Sequence, residues 1–238
     1  MIKFFCASND PAQLSQNIIY NPKVNKHEIE IQFDNNRDKG LPERYNEFID
    51  RNLSEDCWLV FIHDDVQLLE DIEPKLEGIP KDIIYGLCGA KKIDGKGEIV
   101  GEILVQDPRV RNGEKFVLGR EVKGYEIVPT FDPLCVIIHS SMVKKVLQPA
   151  VAWNINRVRF DEKLGYHLFT EEMSINLKKH YWINSAVLQV DCCHYSWGSK
   201  TPEYFEALEY VKKKHGLERF ICTPELSCMD GEVEDNWN

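Results

Sequence analysis

Trp58-Leu59-Val60-Phe61-Ile62-His63-Asp64-Asp65-Val66 is the stretch that decides the fold. An unbroken apolar run bounded by polar segments is what a strand covered on both faces by helices requires. Such a strand belongs in the middle of a sheet, where acidic side chains have no place. His63, Asp64 and Asp65 are therefore expected at its carboxyl end, where open α/β sheets place their ligand crevice. Side chains alternate along a strand, so His63 and Asp65 face one way and Asp64 the other if the extended geometry persists. Oxygen-bearing groups beside a crevice suit Mg2+ or Mn2+, ions usually shared with substrate phosphates. The competing reading of Asp-Asp after a strand is a solvated acidic turn.

Upstream, Ile2 to Ala7 reads as a first strand running into the turn Ser8-Asn9-Asp10-Pro11. Glu28 to Phe33 alternates strictly and stops at Asp34-Asn35-Asn36-Arg37-Asp38, giving a second strand and turn. Gly40-Leu41-Pro42 opens a helix with Leu41, Tyr45, Phe48 and Ile49 on one face, ending near Asn52. Strands alternating with a helix in this way predict an α/β fold with a mainly parallel sheet. Downstream, Asp82 to Ala90 reads as another strand, and the glycines near Asp94 suggest a hairpin. Short, glycine-interrupted strands between residues 97 and 124 predict an antiparallel excursion at the sheet's edge. Tyr125 to Ile138 resumes a strong strand signal, and Ser140-Ser141 caps a helix through Val143, Val146 and Leu147. Thr170 is expected to cap a helix through Met173, Ile175 and Leu177, with Glu171 and Glu172 in its first turn and Lys178-Lys179-His180 at its end. Trp182 to Val190 forms a late strand, and a last helix runs from Thr201-Pro202 to Gly216. Residues 1–221 are expected to form one domain, followed by an acidic, flexible tail over 222–238.

At 238 residues the chain can bury one substantial core. A formal charge of −10 argues against nucleic acid as a partner, because that binding draws on a basic surface. The apolar run at the amino terminus is too short for a signal sequence, and no stretch approaches the ~20 apolar residues of a membrane helix. A cytoplasmic location follows as the expectation. The eight cysteines are scattered, several of them within apolar strands, which fits free buried thiols and assigns no disulfide. Cys192-Cys193-His194 lacks the second cysteine pair that a zinc site would need.

Three polar clusters stand at strand ends or helix starts: His63/Asp64/Asp65, Glu171/Glu172 and His194. Each alone has an ordinary explanation, since acids favour a helix first turn and single histidines are commonly structural. Taken with Phe4-Phe5-Cys6-Ala7-Ser8-Asn9, Gly40-Leu41-Pro42-Glu43-Arg44-Tyr45-Asn46-Glu47, Phe160-Asp161-Glu162, Phe169-Thr170-Glu171-Glu172 and Cys193-His194-Tyr195-Ser196, their order resembles the family-2-like glycosyltransferases of the GT-A fold. The likeness runs from residue 2 to about residue 215. It implies a Rossmann-like, mainly parallel central sheet flanked by helices. It also implies sugar transfer from a nucleotide-diphosphate donor to an acceptor hydroxyl, inverting, with Mn2+ or Mg2+ on the diphosphate. The acceptor would be a glycan, such as a surface polysaccharide, or another hydroxyl. Peripheral membrane association is compatible with the family's habits.

One departure stands out, because the family's metal motif is Asp-any-Asp and His63 occupies the first place here. The resemblance makes Asp65 the principal metal ligand, with His63 and His194 as further ligands or diphosphate contacts. It puts Ser8, Asn9 and Asp34 beside the nucleoside, Asn46 near its ribose or phosphates, and Asp64 on the donor side. Trp197 and Lys200 would sit on an acceptor-side loop, with Lys200 screening leaving-group charge. The attacking hydroxyl must lose a proton to a carboxylate within hydrogen-bond reach. Glu172, which directly precedes an apolar helical run, is the preferred base and Glu171 the alternative. Two other readings share the crevice: a nucleotidyltransferase or nucleotide-sugar hydrolase, and a catalytically silent nucleotide-sugar binding module suggested by His63.

Overall fold

A computed structural model describes residues 1–33, 39–146, 158–198 and 200–223 of the chain. The chain opens with β1 (Ile2–Ser8), α1 (Pro11–Leu14), a π-helical turn (Ser15–Ile19) and β2 (Glu28–Phe33). Next come α2 (Leu41–Asn52), β3 (Trp58–Ile62), β4 (Val66–Leu68) and the single turn α3 (Glu73–Leu76). The middle of the chain is strand-rich: β5 (Ile84–Gly86), β6 (Gly89–Ile93), β7 (Lys96–Val100), β8 (Ile103–Val105), β9 (Phe116–Leu118), β10 (Tyr125–Val128), β11 (Thr130–Phe131) and β12 (Cys135–His139). It closes with α4 (Ser140–Val146), α5 (Phe169–Tyr181), β13 (Ser185–Leu188), β14 (Cys192–His194) and α6 (Pro202–His215).

The main sheet has seven strands in the order β2-β1-β3-β12-β5-β13-β10. β1, β2, β3, β5 and β13 run parallel, while β12 and β10 run against them. β3 lies between β1 and β12, and all its residues are buried. Its alternation serves two cores. Leu59 and Phe61 pack with Tyr45, Phe48 and Ile49 of α2 and with Phe169 and Met173 of α5. Trp58, Val60 and Ile62 pack with Leu14 and Ile18 on the other face. Asn46 joins α2 to a distant segment: its Nδ2 donates to the Phe160 carbonyl and to Glu162 Oε1, both at 2.9 Å, and its Oδ1 accepts from Phe160 N at 3.0 Å. All seven cysteines among the described residues are free and buried. Among those residues no helix is long and apolar enough to cross a membrane.

Several predicted strands are divided, each for a local reason. The 58–66 stretch ends its ladder at Ile62 and resumes as β4 in a second sheet, ordered β4-β14-β8-β9. Residues 82–90 divide into β5 of the main sheet and β6 of a third sheet, ordered β11-β6-β7. Glycines permit this division. A Cβ on Gly86 would lie 2.3 Å from the Phe131 ring, and one on Gly89 would lie 2.7 Å from the Thr130 carbonyl oxygen. The 125–138 stretch becomes β10, β11 and β12, with Asp132-Pro133 breaking the ladder before β12. Trp182 leaves the late strand altogether, as the left-handed, 81 % exposed C-cap of α5. Thr170 does not cap α5, which starts at Phe169 behind a left-handed Leu168 (φ 58°). Leu147, Asp34 and the tail from residue 224 lie outside the described residues.

Gly86 supplies a test of this packing. Gly86→Ala drives a methyl group into a fully enclosed aromatic ring, so it is expected to cost about 1–3 kcal/mol in urea unfolding. An unchanged denaturation midpoint would contradict the close approach of β5 to Phe131.

Candidate active site

The carboxyl ends of β1 and β3 meet where the main sheet adjoins β4 and β14. Past Ile62 the backbone turns: His63 N donates to the Leu134 carbonyl at 3.1 Å, and Val66 N to the His63 carbonyl at 3.2 Å. Asp64 and Asp65 then diverge. The Ser8 hydroxyl donates to Asp64 Oδ2 at 2.6 Å, and Asn17 Nδ2, within the π-helical turn, donates to the Asp64 carbonyl at 2.8 Å. Burial, with Asp65 alongside, holds the Asp64 carboxyl above its ordinary range, although the Ser8 bond opposes this.

Asp65 turns the other way, toward β14. The Ser196 hydroxyl donates to Asp65 Oδ2 at 2.6 Å, and His194 Nε2 lies 3.4 Å from the same oxygen. Burial opposes ionisation of Asp65, but the charge and hydrogen bond of His194, helped by His63 and Ser196, outweigh it and hold the carboxyl well below the usual range. Burial likewise lowers the pKa of His194, yet the partnership with Asp65 prevails and raises it. Two buried atoms here have no protein partner, Asp65 Oδ1 and His63 Nε2.

Two cavities adjoin this point. The larger, about 940 Å³, lies against Ser8, Asn9 and Asp64 on one side and against Gly165, Thr201 and Glu206 on the other. The smaller, about 310 Å³, contains Asp132, Glu171, His194, Ser196, Trp197 and Lys200. His63, Asp65, Tyr166 and His167 line both, so Asp65 stands on the partition.

The two acids of α5 separate in direction. Glu171 faces the smaller cavity, 1 % exposed, and accepts from the Thr170 hydroxyl at 2.9 Å. Burial, with the charge of Asp132 nearby, pushes its carboxyl up to about 8. Glu172, the base preferred from sequence, lines neither cavity. Its Oε1 is engaged from α6 by Lys214 Nζ at 2.6 Å and His215 Nε2 at 3.0 Å. Successive helical residues lie about 100° apart, so only one of the pair can face the cavity. The sequence does not say which.

Asn46 also departs from its expected place. Its amide is committed to Phe160 and Glu162 and it lines neither cavity, which makes it a tie between α2 and the segment before α5. Lys200 lines the smaller cavity with its Nζ 5.8 Å from the centroid of the Tyr204 ring. Sequence reasoning missed Asn17, Asp132 and the Ser196 hydroxyl. Asp132-Pro133 carried a turn signal that could have marked a strand-end acid. Nothing in the sequence indicates that Asn17 reaches the Asp64 backbone.

Among the described residues, the three ligand-bearing side chains whose atoms all lie within 4.8 Å of one another are His27, Asp71 and Glu73, not His63, Asp65 and His194. His27 precedes β2, at the end of the sheet away from the crevice, and Lys26 already bridges Asp71 and Glu73. The partition fits a divalent ion differently. Mg2+-type ions commonly take one or two protein carboxylates and complete their shell with phosphates and water. Asp65 Oδ1 and His63 Nε2 are the unsatisfied atoms that such an ion would use.

No protein-family profile matches the chain, and no curated protein does. Solved structures do. GalNAc-T7, crystallised with UDP, GalNAc and Mn2+, aligns over 88 % of this chain and 47 % of its own at 9 % identity, with a TM-score of 0.54. A197 from STIV aligns over 82 % and 86 % at 16 % identity with a TM-score of 0.44. A glycosyltransferase involved in glycosylation of the major capsid of PBCV-1 aligns over 89 % and 98 % at 6 % identity with a TM-score of 0.34. The chain spans about half the length of GalNAc-T7, and the likeness is one of fold: a mixed α/β, GT-A-like architecture.

Glu171 gives a stability prediction whose sign is fixed. Its folded pKa of about 8 lies above its ordinary 4.5, so the unfolded chain loses this proton first as pH rises. The contribution of the neutral buried acid is complete below pH 4.5 and is lost progressively as pH climbs through 8. Glu171→Gln should flatten that decline, giving a melting temperature that gains on wild type between pH 5 and pH 8. Parallel curves for the two proteins would place Glu171 in a solvated setting.

Proposed function

We propose that this chain is a metal-dependent glycosyltransferase that moves a sugar from a nucleotide-diphosphate donor to an acceptor hydroxyl. The observation that carries this reading is Asp65, which stands between the two cavities with one oxygen unpartnered while Glu171 lines the smaller one. The larger cleft, at the ends of β1 and β3, suits the nucleotide, with Ser8 and Asn9 on its wall. The sugar and the acceptor hydroxyl belong to the smaller cavity, which holds the carboxyl able to take a proton. GalNAc-T7, which shares this fold, holds ligands of the same classes.

The charges around the larger cleft favour a donor that arrives with a cation. Among the described residues, Asp64, Asp65, Glu203 and Glu206 line it against one lysine, Lys163, so a bare diphosphate would be repelled. Asp65, with His63 and with His194 behind it, would hold Mn2+ or Mg2+. Such an ion supplies Lewis-acid stabilisation of charge on the departing diphosphate. Ser196 and His194 orient the Asp65 carboxylate, leaving Oδ1 free for this purpose.

In the transfer step the acceptor oxygen forms a bond to the anomeric carbon as the bond to the diphosphate breaks. Glu171 in its ionised form accepts the hydroxyl proton. A carboxyl on the acceptor side suits this direct displacement, and hence inversion at the anomeric carbon. With its pKa at about 8, Glu171 ionises only at alkaline pH in the free protein, so kcat/KM for transfer should rise with pH and level off above about 8. A flat profile from pH 6 to 9 would remove Glu171 from this role.

Three variants separate the assignments. Asp65→Asn should abolish the metal-dependent part of donor binding in a folded protein. In thermal-shift assays, a donor at ~100 times its dissociation constant then loses its stabilisation of about 2.7 kcal/mol. Glu171→Gln should lower transfer ~100- to 10,000-fold while donor affinity is kept. Glu172→Gln should keep transfer per folded molecule and lose on the order of 1–3 kcal/mol of stability, because Lys214 and His215 lose their charged partner. A Glu171→Gln enzyme with normal transfer, or a Glu172→Gln enzyme without it, would reverse the assignment.

A further inference from the structure

The smaller cavity has a mixed lining. Asp65, Asp132, Glu171, His194 and Ser196 are polar, as are His63, His167 and Lys200. Beside them an apolar wall is made by Ile99, Ile103 and Leu118 of β7, β8 and β9, with Ile103 and Leu118 paired across the ladder, and is continued by Val105, Leu134 and Cys88. No charged side chain stands among them. Ile103, Val105, Leu134 and Cys88 are at most 2 % exposed, so this wall is the edge of the core itself and not a mobile surface. At about 310 Å³ the cavity is at the small end of ligand sites, which run roughly 300–1,000 Å³.

The wall is also held in place. Gly101 and Gly119 approach so closely that a Cβ on Gly119 would lie 2.3 Å from the Gly101 carbonyl oxygen. Asp107 bonds Trp197 N at 2.6 Å and is clamped by Arg109, while Gln106 N donates to the His194 carbonyl at 3.0 Å. Trp197 packs against Phe116 with ring centroids 5.6 Å apart. The apolar wall and the His194–Ser196 segment therefore form one unit.

A hexose with unmodified hydroxyls at C2, C3, C4 and C6 would leave some of them facing this wall with no partner, at the cost of their desolvation. A pyranose that carries a methyl group, as an acetamido or a 6-deoxy substituent, would place apolar surface there and keep its remaining hydroxyls toward the polar side. We infer that this cavity selects a donor sugar bearing a methyl-containing substituent, with Ile99 and Leu118 as specificity-determining residues. The inference rests on the glycosyltransferase reading above.

Donors that share a nucleotide but differ in the sugar provide the test, each titrated with Mn2+ into the full chain. Suitable pairs are UDP-N-acetylglucosamine with UDP-glucose, UDP-N-acetylgalactosamine with UDP-galactose, GDP-fucose with GDP-mannose and dTDP-rhamnose with dTDP-glucose. At least one methyl-bearing donor is expected to bind about fourfold or more tightly than its partner, the factor for burying one methyl group. The pair that shows the preference distinguishes acetamido from deoxy chemistry. Leu118→Ser, which makes the wall polar, and Ile99→Trp, which fills the space, should each erase the preference while the matching nucleoside diphosphate binds as in wild type. If sugars bind in a metal-dependent way and every pair agrees within twofold, the specificity inference is overturned and the transferase reading stands. If neither donors nor nucleoside diphosphates bind with Mn2+, both are overturned.

Discussion

A carboxylate at the end of a buried strand is the constraint on which the site depends. Asp65 lies three residues beyond the apolar ladder of β3, and its side chain is only 17 % exposed. An isolated charge there would cost several kcal/mol in lost hydration. His194 and Ser196 offset that cost, and both come from β14 and the residues after it, about 130 positions later in the chain. β14 in turn is held between β4 and β8. The pairing of β14 with β4 and β8 thus brings His194 and Ser196 to the charge beyond β3.

The same turn divides the site. Ser8 and Asn17 draw Asp64 toward β1, while His194 and Ser196 draw Asp65 toward β14. Adjacent acids are thereby committed to different neighbourhoods, and the residue between the two cavities is the one with a free oxygen. An acidic cleft on one side and a half-apolar cavity on the other then have distinct ligand chemistry. On the proposed function, the first would take a diphosphate together with a cation, and the second a group with an apolar face. The proposed transfer would need a proton acceptor in the smaller cavity, which Glu171 lines.

The helix α5 performs two tasks at neighbouring positions. Glu171 faces the cavity and is kept neutral at moderate pH by burial, whereas Glu172 faces α6 and is matched by Lys214 and His215. Lys214 also reaches Asp161 Oδ2 at 2.7 Å, which ties the helix pair to the loop ahead of α5. The rotation that turns Glu171 to the cavity is thus the one that gives Glu172, about 100° round the same helix, its partners on α6.

The sequence by itself determined the central strand, the acidic group at its end, the α/β alternation and the regions of α2, α5 and α6. These follow from periodicity and from the cost of placing charge inside a sheet, both local properties. It also placed Ser8, Asn9, Asp65, His194 and Lys200 in segments that line the cavities. Only the tertiary structure decided which of Glu171 and Glu172 faces inward, because a helix's rotation about its axis is set by what packs against it. Asn46 looks in sequence like any polar helix residue, and only the approach of Phe160 and Glu162 makes it a structural tie. The division of 82–90 and 125–138 among separate sheets was likewise hidden, since Gly86 and Gly89 matter only where Phe131 and Thr130 press against them. The apolar wall of the smaller cavity is the clearest case: Ile99, Ile103 and Leu118 read as ordinary strand residues, and they come to line one cavity with Asp65 only where the second and third sheets fold together.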